Sequence, residues 1–452
     1  EDLIGPYKHG VNTPNDIPSM LSVAASYQFL PMLKASVEYH FFDDKKAVLK
    51  NIVIVNDCAH IEGGAASVAI NSAIGLAKHY SVYLFSAVQP IDRRLEEVGV
   101  RVICIGKKDI LHDENRIRAI SKGLWDNETK RVFERLLATL SPVESIIHFH
   151  TWTKALTASL YAVTAKMDFK TVITLHDFFC FCPNGGFYDY QRNEICFRKP
   201  MSYSCLTCNC DVRSYPQKIW RSIRMAIQNH VMAKNKKIYF ISISALTRKI
   251  CMQLMNDSRK IYTIADPVEI NENQLPNKLL NNDVYLFMGR LSPEKGIGLF
   301  CQAVTDLNRK GIVLGEGYLR SELMEKYPNI QFVGWVAGKD KQAYFKKAKA
   351  LVFTSLCYET FGLSVAEARS YGIPCIVPDS CAASEQVIDG ETGYLFKTGN
   401  LDSLKEVLVK YENADIQVMQ NNIVNNFIAD DWSLISHIKN LVQVYNEIIT
   451  ES

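Results

Sequence analysis

Short runs of apolar residues alternate along this chain with segments whose apolar positions recur every three or four residues. Asn51–Val55 is the first run, read as a buried strand; a turn-like stretch, Asn56–Gly64, follows, and helical spacing then runs from about Ala65 to His79. Ser81–Ser86, Arg101–Ile105, Ser145–His150, Thr171–Leu175 and Lys237–Ser242 predict further strands with helical stretches between them. A second series starts at Val284–Met288 and continues through Gly311–Leu314, Ile330–Val333, Ala350–Thr354 and Pro374–Val377. Two successive series of this kind predict an α/β protein with two doubly wound sheets. The polar stretch Asn271–Asp283 reads as the linker between them. The expected layout is an extension over residues 1–47, a first domain over 48–270, a second over 284–430 and a last helix within 431–452. That helix, from about Trp432 to Ile449, has one apolar face and is expected to pack back on the first domain.

Composition narrows the function classes. With 48% hydrophobic and 22% charged residues and a net charge of +3, the 452-residue chain fits a globular protein and gives no electrostatic footprint for nucleic acid. No apolar run reaches the length of a membrane span. Ile17–Phe42 is mostly apolar and is expected to pack on the body, membrane contact being the lesser reading. The chain opens at Glu1 without a charged-then-apolar signal pattern, which reads as a trimmed, processed or excised chain in a cytoplasmic setting. Of thirteen cysteines, seven are scattered through apolar stretches and six fall between positions 180 and 210. The scattered ones read as reduced core residues.

Chemistry concentrates at the predicted strand ends. In Ser355–Gly372, Glu359 falls on the loop after a strand, Gly362 marks a tight turn and Glu367 lies on the helix that begins at Leu363. The carboxyl edge of an open α/β sheet is where ligands bind, and a helix start offers unpaired N–H groups to phosphate. Two carboxylates beside it can accept hydrogen bonds from sugar hydroxyls. Upstream, Arg290 and Lys295 lie on a glycine-bounded loop and can neutralise a diphosphate. In the first series, Gly63-Gly64 permits close backbone approach to phosphate but is not a Gly-x-Gly-x-x-Gly fingerprint, which counts against a dehydrogenase. His150 ends one strand, and His176 and Asp177 end the next.

Taken in order, Gly289-Arg290…Lys295-Gly296, Gly315-Glu316-Gly317, Val333-Gly334, Glu359-Thr-Phe-Gly…Glu367-Ala and Ser384-Glu385…Gly390-Glu-Thr-Gly393 resemble the retaining GT-B glycosyltransferases of family 4. The resemblance implies two Rossmann-like domains facing across a cleft and no cofactor for catalysis. It implies that Arg290 and Lys295, with the backbone near Gly64, hold the donor diphosphate. Glu367 would bind the ribose and Glu359 the transferred sugar, with Gly362 and Leu363 at the helix start. Val333 and Gly334 would lie by the base, and His150 by the sugar on the acceptor side. The expected donor is a nucleoside diphosphate sugar and the expected acceptor a glycan or lipid-linked glycan in polysaccharide biosynthesis. This chain departs from the family pattern in two places: Cys381-Ala382 replaces a Gly-Gly pair, and Asp266-Pro267 replaces Asn-Gly. Two competing classes remain, a nucleotide-sugar 2-epimerase on the same fold and a non-catalytic glycan-binding subunit.

The cysteine-rich insertion, residues 178–212, reads as a structural zinc site, disulfides or free thiols. Similarity to some relatives implies Cys182, Cys196, Cys205 and Cys208 as the zinc ligands. Beyond it, Pro216–Lys237 carries Lys218, Arg221, Arg224, Lys234, Lys236 and Lys237. It reads as a solvated basic helix face or, alternatively, as a peripheral contact with the inner face of a membrane.

Overall fold

The computed structural model describes residues 49–255, 259–268, 282–336, 338–430 and 432–451. The amino-terminal extension, its apolar stretch Ile17–Phe42 and most of the linker expected at 271–283 lie outside these residues. Fifteen strands fall in the described parts. The first sheet contains β1 (Asn51–Val55), β2 (Ser81–Ser86), β3 (Arg101–Cys104), β4 (Ser145–Phe149) and β5 (Lys170–Thr174). A short hairpin of β6 (Tyr188–Asp189) and β7 (Glu194–Ile195) interrupts the series before β8 (Ile238–Ser242) and β9 (Ile261–Thr263) complete that sheet. The second sheet holds β10 (Val284–Met288), β11 (Lys310–Leu314), β12 (Ile330–Gly334), β13 (Ala348–Val352), β14 (Cys375–Pro378) and β15 (Gly393–Phe396).

The sheet orders are β3-β2-β1-β4-β5-β8-β9 and β12-β11-β10-β13-β14-β15, and every pair within them is parallel. In each order the chain reverses direction once, between β1 and β4 in the first sheet and between β10 and β13 in the second. A crevice opens at such a reversal, outside the strands' carboxyl ends. The loops that leave those four strands carry Gly63-Gly64, His150, Arg290 and Glu359, so topology alone brings the sequence candidates to two crevices. Ala350–Thr354 is two residues late as a strand: β13 starts at Ala348, directly after the helix Gly338–Lys347. Thr354 lies beyond it and donates through Oγ1 to the Gly296 carbonyl at 2.8 Å.

Helix Leu434–Thr450 packs on the first sheet. Leu441, Tyr445 and Ile448 share a buried cluster with Ile52, Ile54, Ile70 and Ala73. Each large aliphatic side chain among them contributes about 1.5–3 kcal/mol by leaving water. Gly75 lets the helices approach, since a methyl there would come within 2.7 Å of Ile438. Lys170 Nζ donates to the carbonyls of Ile448, Ile449 and Glu451 at 2.7, 2.9 and 2.6 Å, which satisfies the orphan acceptors at the helix end.

The basic stretch forms a helix, Tyr215–Lys234, but its cations do not make one solvated face. Lys218 is buried, Arg221 pairs with Asp211 at 3.0 Å, and Arg224 donates to the Thr153 carbonyl at 2.9 Å while stacking on Phe179 and Trp220. Arg221 and Arg224 sit under the insertion and the loop after β4 because their carboxylate and carbonyl partners are there. Among the described residues, no helix is long and apolar enough to cross a membrane.

Candidate active site

The loop after β10 holds Arg290, which is exposed, and Lys295, which is half-buried. Lys295 Nζ pairs with Glu359 Oε1, and Ser355 Oγ donates to the same oxygen at 2.6 Å. Burial opposes the Glu359 charge, but Lys295, Ser355 and Arg290 outweigh it and hold the carboxyl below the ordinary range. Burial likewise opposes the Lys295 charge, and Glu359 more than offsets it. Both groups are therefore ionised at neutral pH. Gly296 closes the loop with φ 65°, and a methyl there would fall 1.9 Å from the Thr354 carbonyl oxygen, so the two strand-end loops are locked together.

Helix Leu363–Ser370 begins immediately after Gly362, which adopts φ 91° and lies so close to Ala383 that an added methyl would come within 2.7 Å of its Cβ. No side chain caps this helix and its first turn holds no acid, so its first N–H groups face the cleft unneutralised. Helix Gly64–Leu76 starts the same way, uncapped and without an acidic first turn. The two starts face each other: a methyl on Gly64 would lie 2.4 Å from Leu363 Cδ1. Candidate phosphate donors from both domains thus converge. Glu367 lies on helix Leu363–Ser370 and pairs with Lys341 at 2.9 Å. Val333 and Gly334 end β12, where the Gly334 carbonyl accepts from Gly315 N at 2.8 Å and the Glu316 carboxylate packs over the Gly334 backbone.

His150, just past β4, is buried between two other histidines. Its Nδ1 is 2.9 Å from His176 Nε2, and its ring lies 4.2 Å from that of His148. His176 Nδ1 is 3.5 Å from Asp266 Oδ2. An Nδ1–H of His176 facing this carboxylate leaves its Nε2 to accept the Nδ1–H of His150. His150 Nε2, buried without a hydrogen-bond partner, then carries a lone pair for a hydroxyl. Burial first, and then the rings of His148, His176 and His437, keep His150 well below the usual histidine range and neutral. Next to His176, burial pushes the Asp177 carboxyl up to about 6.

Several contacts across the site were not read from the sequence. Glu385 accepts from Ala245 N at 2.9 Å and Leu246 N at 2.5 Å, capping the first-domain helix Ala245–Leu254 from the second domain. Thr360 Oγ1 donates to the His176 carbonyl at 2.8 Å, so the Glu359 loop is braced against the first domain. The positive field of Arg290 reaches Tyr190, beside the β6–β7 hairpin, which brings the insertion to the rim of the phosphate loop. Glu385 and Thr360 stand inside motifs visible in the sequence, and Asp266 at a departure from the family pattern, but the sequence did not show their partners; Tyr190 left no trace.

The four cysteines expected to form a zinc site do not converge. Among the described residues no three of Cys182, Cys196, Cys205 and Cys208 have sulfurs within 4.8 Å of one another, so this set does not fit a tetrahedral ion as it stands. Lys218 enters instead: its Nζ lies 3.4 Å from Cys205 Sγ, and its field also reaches Cys182 and Cys210. Cys196 and Cys208 take other partners: Cys196 lies 3.4 Å from Arg198 and Cys208 3.5 Å from Asp189, and these two partners pair with each other at 3.1 Å. All thirteen cysteines are free thiols.

Residues 270–427 match the family model "Glycosyl transferases group 1". The chain is 27% identical over 313 residues to an uncharacterized 41.2 kDa protein in the cps region of Klebsiella pneumoniae, covering 64% of this chain and 83% of that one. It is 24% identical over 228 residues to the UDP-Gal:alpha-D-GlcNAc-diphosphoundecaprenol alpha-1,3-galactosyltransferase of Escherichia coli, covering 45% of this chain and 58% of that one. Among solved structures, Anabaena Alr3699/HepE in complex with UDP superposes with a TM-score of 0.59 at 15% identity, covering 88% of this chain and all of that one. Sucrose-phosphate synthase from Thermosynechococcus elongatus does so with a TM-score of 0.63 at 16% identity, covering 89% and all. The fold is GT-B, and the matches together support a GT-B glycosyltransferase.

Proposed function

We propose that this protein transfers a hexosyl unit, with retention of configuration, from a nucleoside diphosphate sugar to a glycan or lipid-linked acceptor, as a family 4 enzyme of polysaccharide biosynthesis. The observation that carries the reading is the Lys295–Glu359 pair beside Arg290, with two uncapped helix starts converging opposite it. An ammonium has three N–H donors, so Lys295 can hold Glu359 and a phosphate oxygen together. Cleaving a sugar–phosphate bond builds negative charge on the leaving phosphate. Fixed cations and N–H dipoles in a partly dry cleft stabilise that charge in the transition state.

Glu359, tied to Lys295 and Ser355, is an acceptor for a sugar hydroxyl and is not poised as a nucleophile. A mechanism in which the departing phosphate takes the acceptor's proton on the same face fits that arrangement and gives retention. His150 Nε2 offers a neutral acceptor to a hydroxyl, and Glu367 suits the ribose. UDP sugars are the first donors to test, because UDP is the nucleotide in the Anabaena complex and in the name of the E. coli galactosyltransferase. The lipid-diphosphate acceptor in that enzyme's name makes a lipid-linked acceptor the first to try.

The test is product analysis of purified protein with each UDP sugar, with and without acceptor, reading released UDP and the anomeric configuration of the product by NMR. Acceptor-dependent release with retention supports the reading. Interconversion of free nucleotide sugars without acceptor would replace it with an epimerase.

A further inference from the structure

The loop that joins β1 to the Gly63-Gly64 turn reads Asn56-Asp57-Cys58-Ala59-His60-Ile61-Glu62. Cys58, His60 and Glu62 have the i, i+2, i+4 spacing that places side chains of an extended segment on one face. Cys58 Sγ, a ring nitrogen of His60 and a carboxylate oxygen of Glu62 lie within 4.8 Å of one another, the one such group of three among the described residues. Cys58 Sγ is 3.0 Å from Glu62 Oε2, and Lys154 Nζ is 3.4 Å from Glu62 Oε1.

The backbone beneath these donors is held firmly. Asp57 accepts from the amides of Thr153, Lys154, Ala155 and Leu156 at 2.8–3.0 Å. Asn56 Nδ2 donates to the Cys58 carbonyl at 2.8 Å, and Ala59 N to the Val88 carbonyl at 2.9 Å. His60 Nδ1 lies 3.2 Å from the Pro90 carbonyl, an outer hydrogen bond of the sort that fixes a ligand imidazole's tautomer and leaves Nε2 its lone pair.

We propose that Cys58, His60 and Glu62 form a site for a divalent transition metal of the Zn²⁺ class. Thiolate, imidazole and carboxylate are the donors such an ion prefers, and three protein ligands leave one position for water or an oxygen ligand. Bonds of about 2.0–2.3 Å put tetrahedral ligand atoms roughly 3.3–3.8 Å apart, so these side chains need only small shifts, the 3.0 Å contact of Cys58 with Glu62 opening slightly. On binding, the Cys58 thiol loses its proton to solvent and Glu62 exchanges its thiol and Lys154 partners for the ion. The bound ion ties both ends of the segment that leads into Gly63-Gly64 and so stiffens the first-domain phosphate turn.

The test is a Co²⁺ titration of chelator-treated full-length protein, followed by visible and near-ultraviolet absorption and by total metal analysis. The wild type is expected to take up one Co²⁺ with a sulfur-to-cobalt charge-transfer band that Cys58→Ala lacks, while Cys208→Ala, in the insertion, keeps it. Glu62→Gln, an exposed position that leaves the fold undisturbed, is expected to weaken uptake by at least about tenfold. It keeps the test valid if Cys58→Ala fails to fold. Uptake and spectra unchanged by Cys58→Ala and Glu62→Gln, or lost with Cys208→Ala alone, would overturn the proposal. The readout is metal binding, so its outcome is independent of whether the protein transfers sugar.

Discussion

Replacing Lys295 with Met removes the cation that shares Glu359 with Ser355. The two side chains keep 23% and 16% of their exposure, so this pair is desolvated but not sealed. Breaking a fully buried pair from one side costs about 3–5 kcal/mol; partial access to water lowers that here to about 1–3 kcal/mol. At roughly 2–4 °C per kcal/mol for domains of this size, Lys295→Met should melt about 2–12 °C lower. The double variant Lys295→Met/Glu359→Gln strands no charge and should recover most of that loss. Transfer should not recover, because both variants lack a charge on the leaving phosphate, a loss worth about 10²–10³-fold in rate. The linkage sign is also fixed. Glu359 has a folded pKa below its unfolded value, so its contribution is full above the unfolded pKa of 4.5 and disappears as pH falls through the folded value. Lys295→Met should therefore flatten acid unfolding below pH 4.5 relative to wild type. A double variant that regains transfer along with stability would refute the assignment of Lys295 to the donor diphosphate.

Three further outcomes follow from the geometry. His148, His150 and His437 are held below the histidine range chiefly by burial, so the unfolded chain binds more protons below pH 6.5 and stability falls there. Each contributes up to about 1.4 kcal/mol per pH unit, and denaturant unfolding between pH 7 and 5 should show a shallower slope for His150→Gln. Gly362→Ala forces φ 91° on a side chain pressed against Ala383, which should cost about 1–3 kcal/mol in urea unfolding and raise the KM for the donor. Glu385→Gln removes a carboxylate from the start of helix Ala245–Leu254 and should cost about 0.3–1 kcal/mol, more at low than at high salt, as read by thermal unfolding.

The apolar runs carried the two parallel sheets because a strand covered on both faces writes its core into contiguous residues. β1, β2 and β10 begin and end where the pattern placed them. β15 escaped, because it opens on Gly393 with no periodicity of its own. At the site, motif order located Arg290, Lys295, Glu359 and Glu367 through their loops. Their partners Lys341 and Ser355, and the His150–His176–Asp266 chain, depend on which strand ends neighbour one another, and that is a property of the assembled sheets. The insertion was the hardest part to read. A cluster of six cysteines looks like a metal site by spacing, but Lys218, on the helix that follows, brings its ammonium to Cys205 at 3.4 Å and its field to Cys182 and Cys210. The same burial removes Lys218 from the basic face that the helix pattern suggested.

The most direct test of the account is a calorimetric titration of UDP and other nucleoside diphosphates into wild type, Arg290→Ala and Lys295→Ala. The account predicts that at least one nucleoside diphosphate binds the wild type at a single site and that each substitution weakens it by at least about tenfold, the loss of one charge-assisted contact. A nucleoside diphosphate that binds all three proteins equally, or none that binds the wild type, would contradict it.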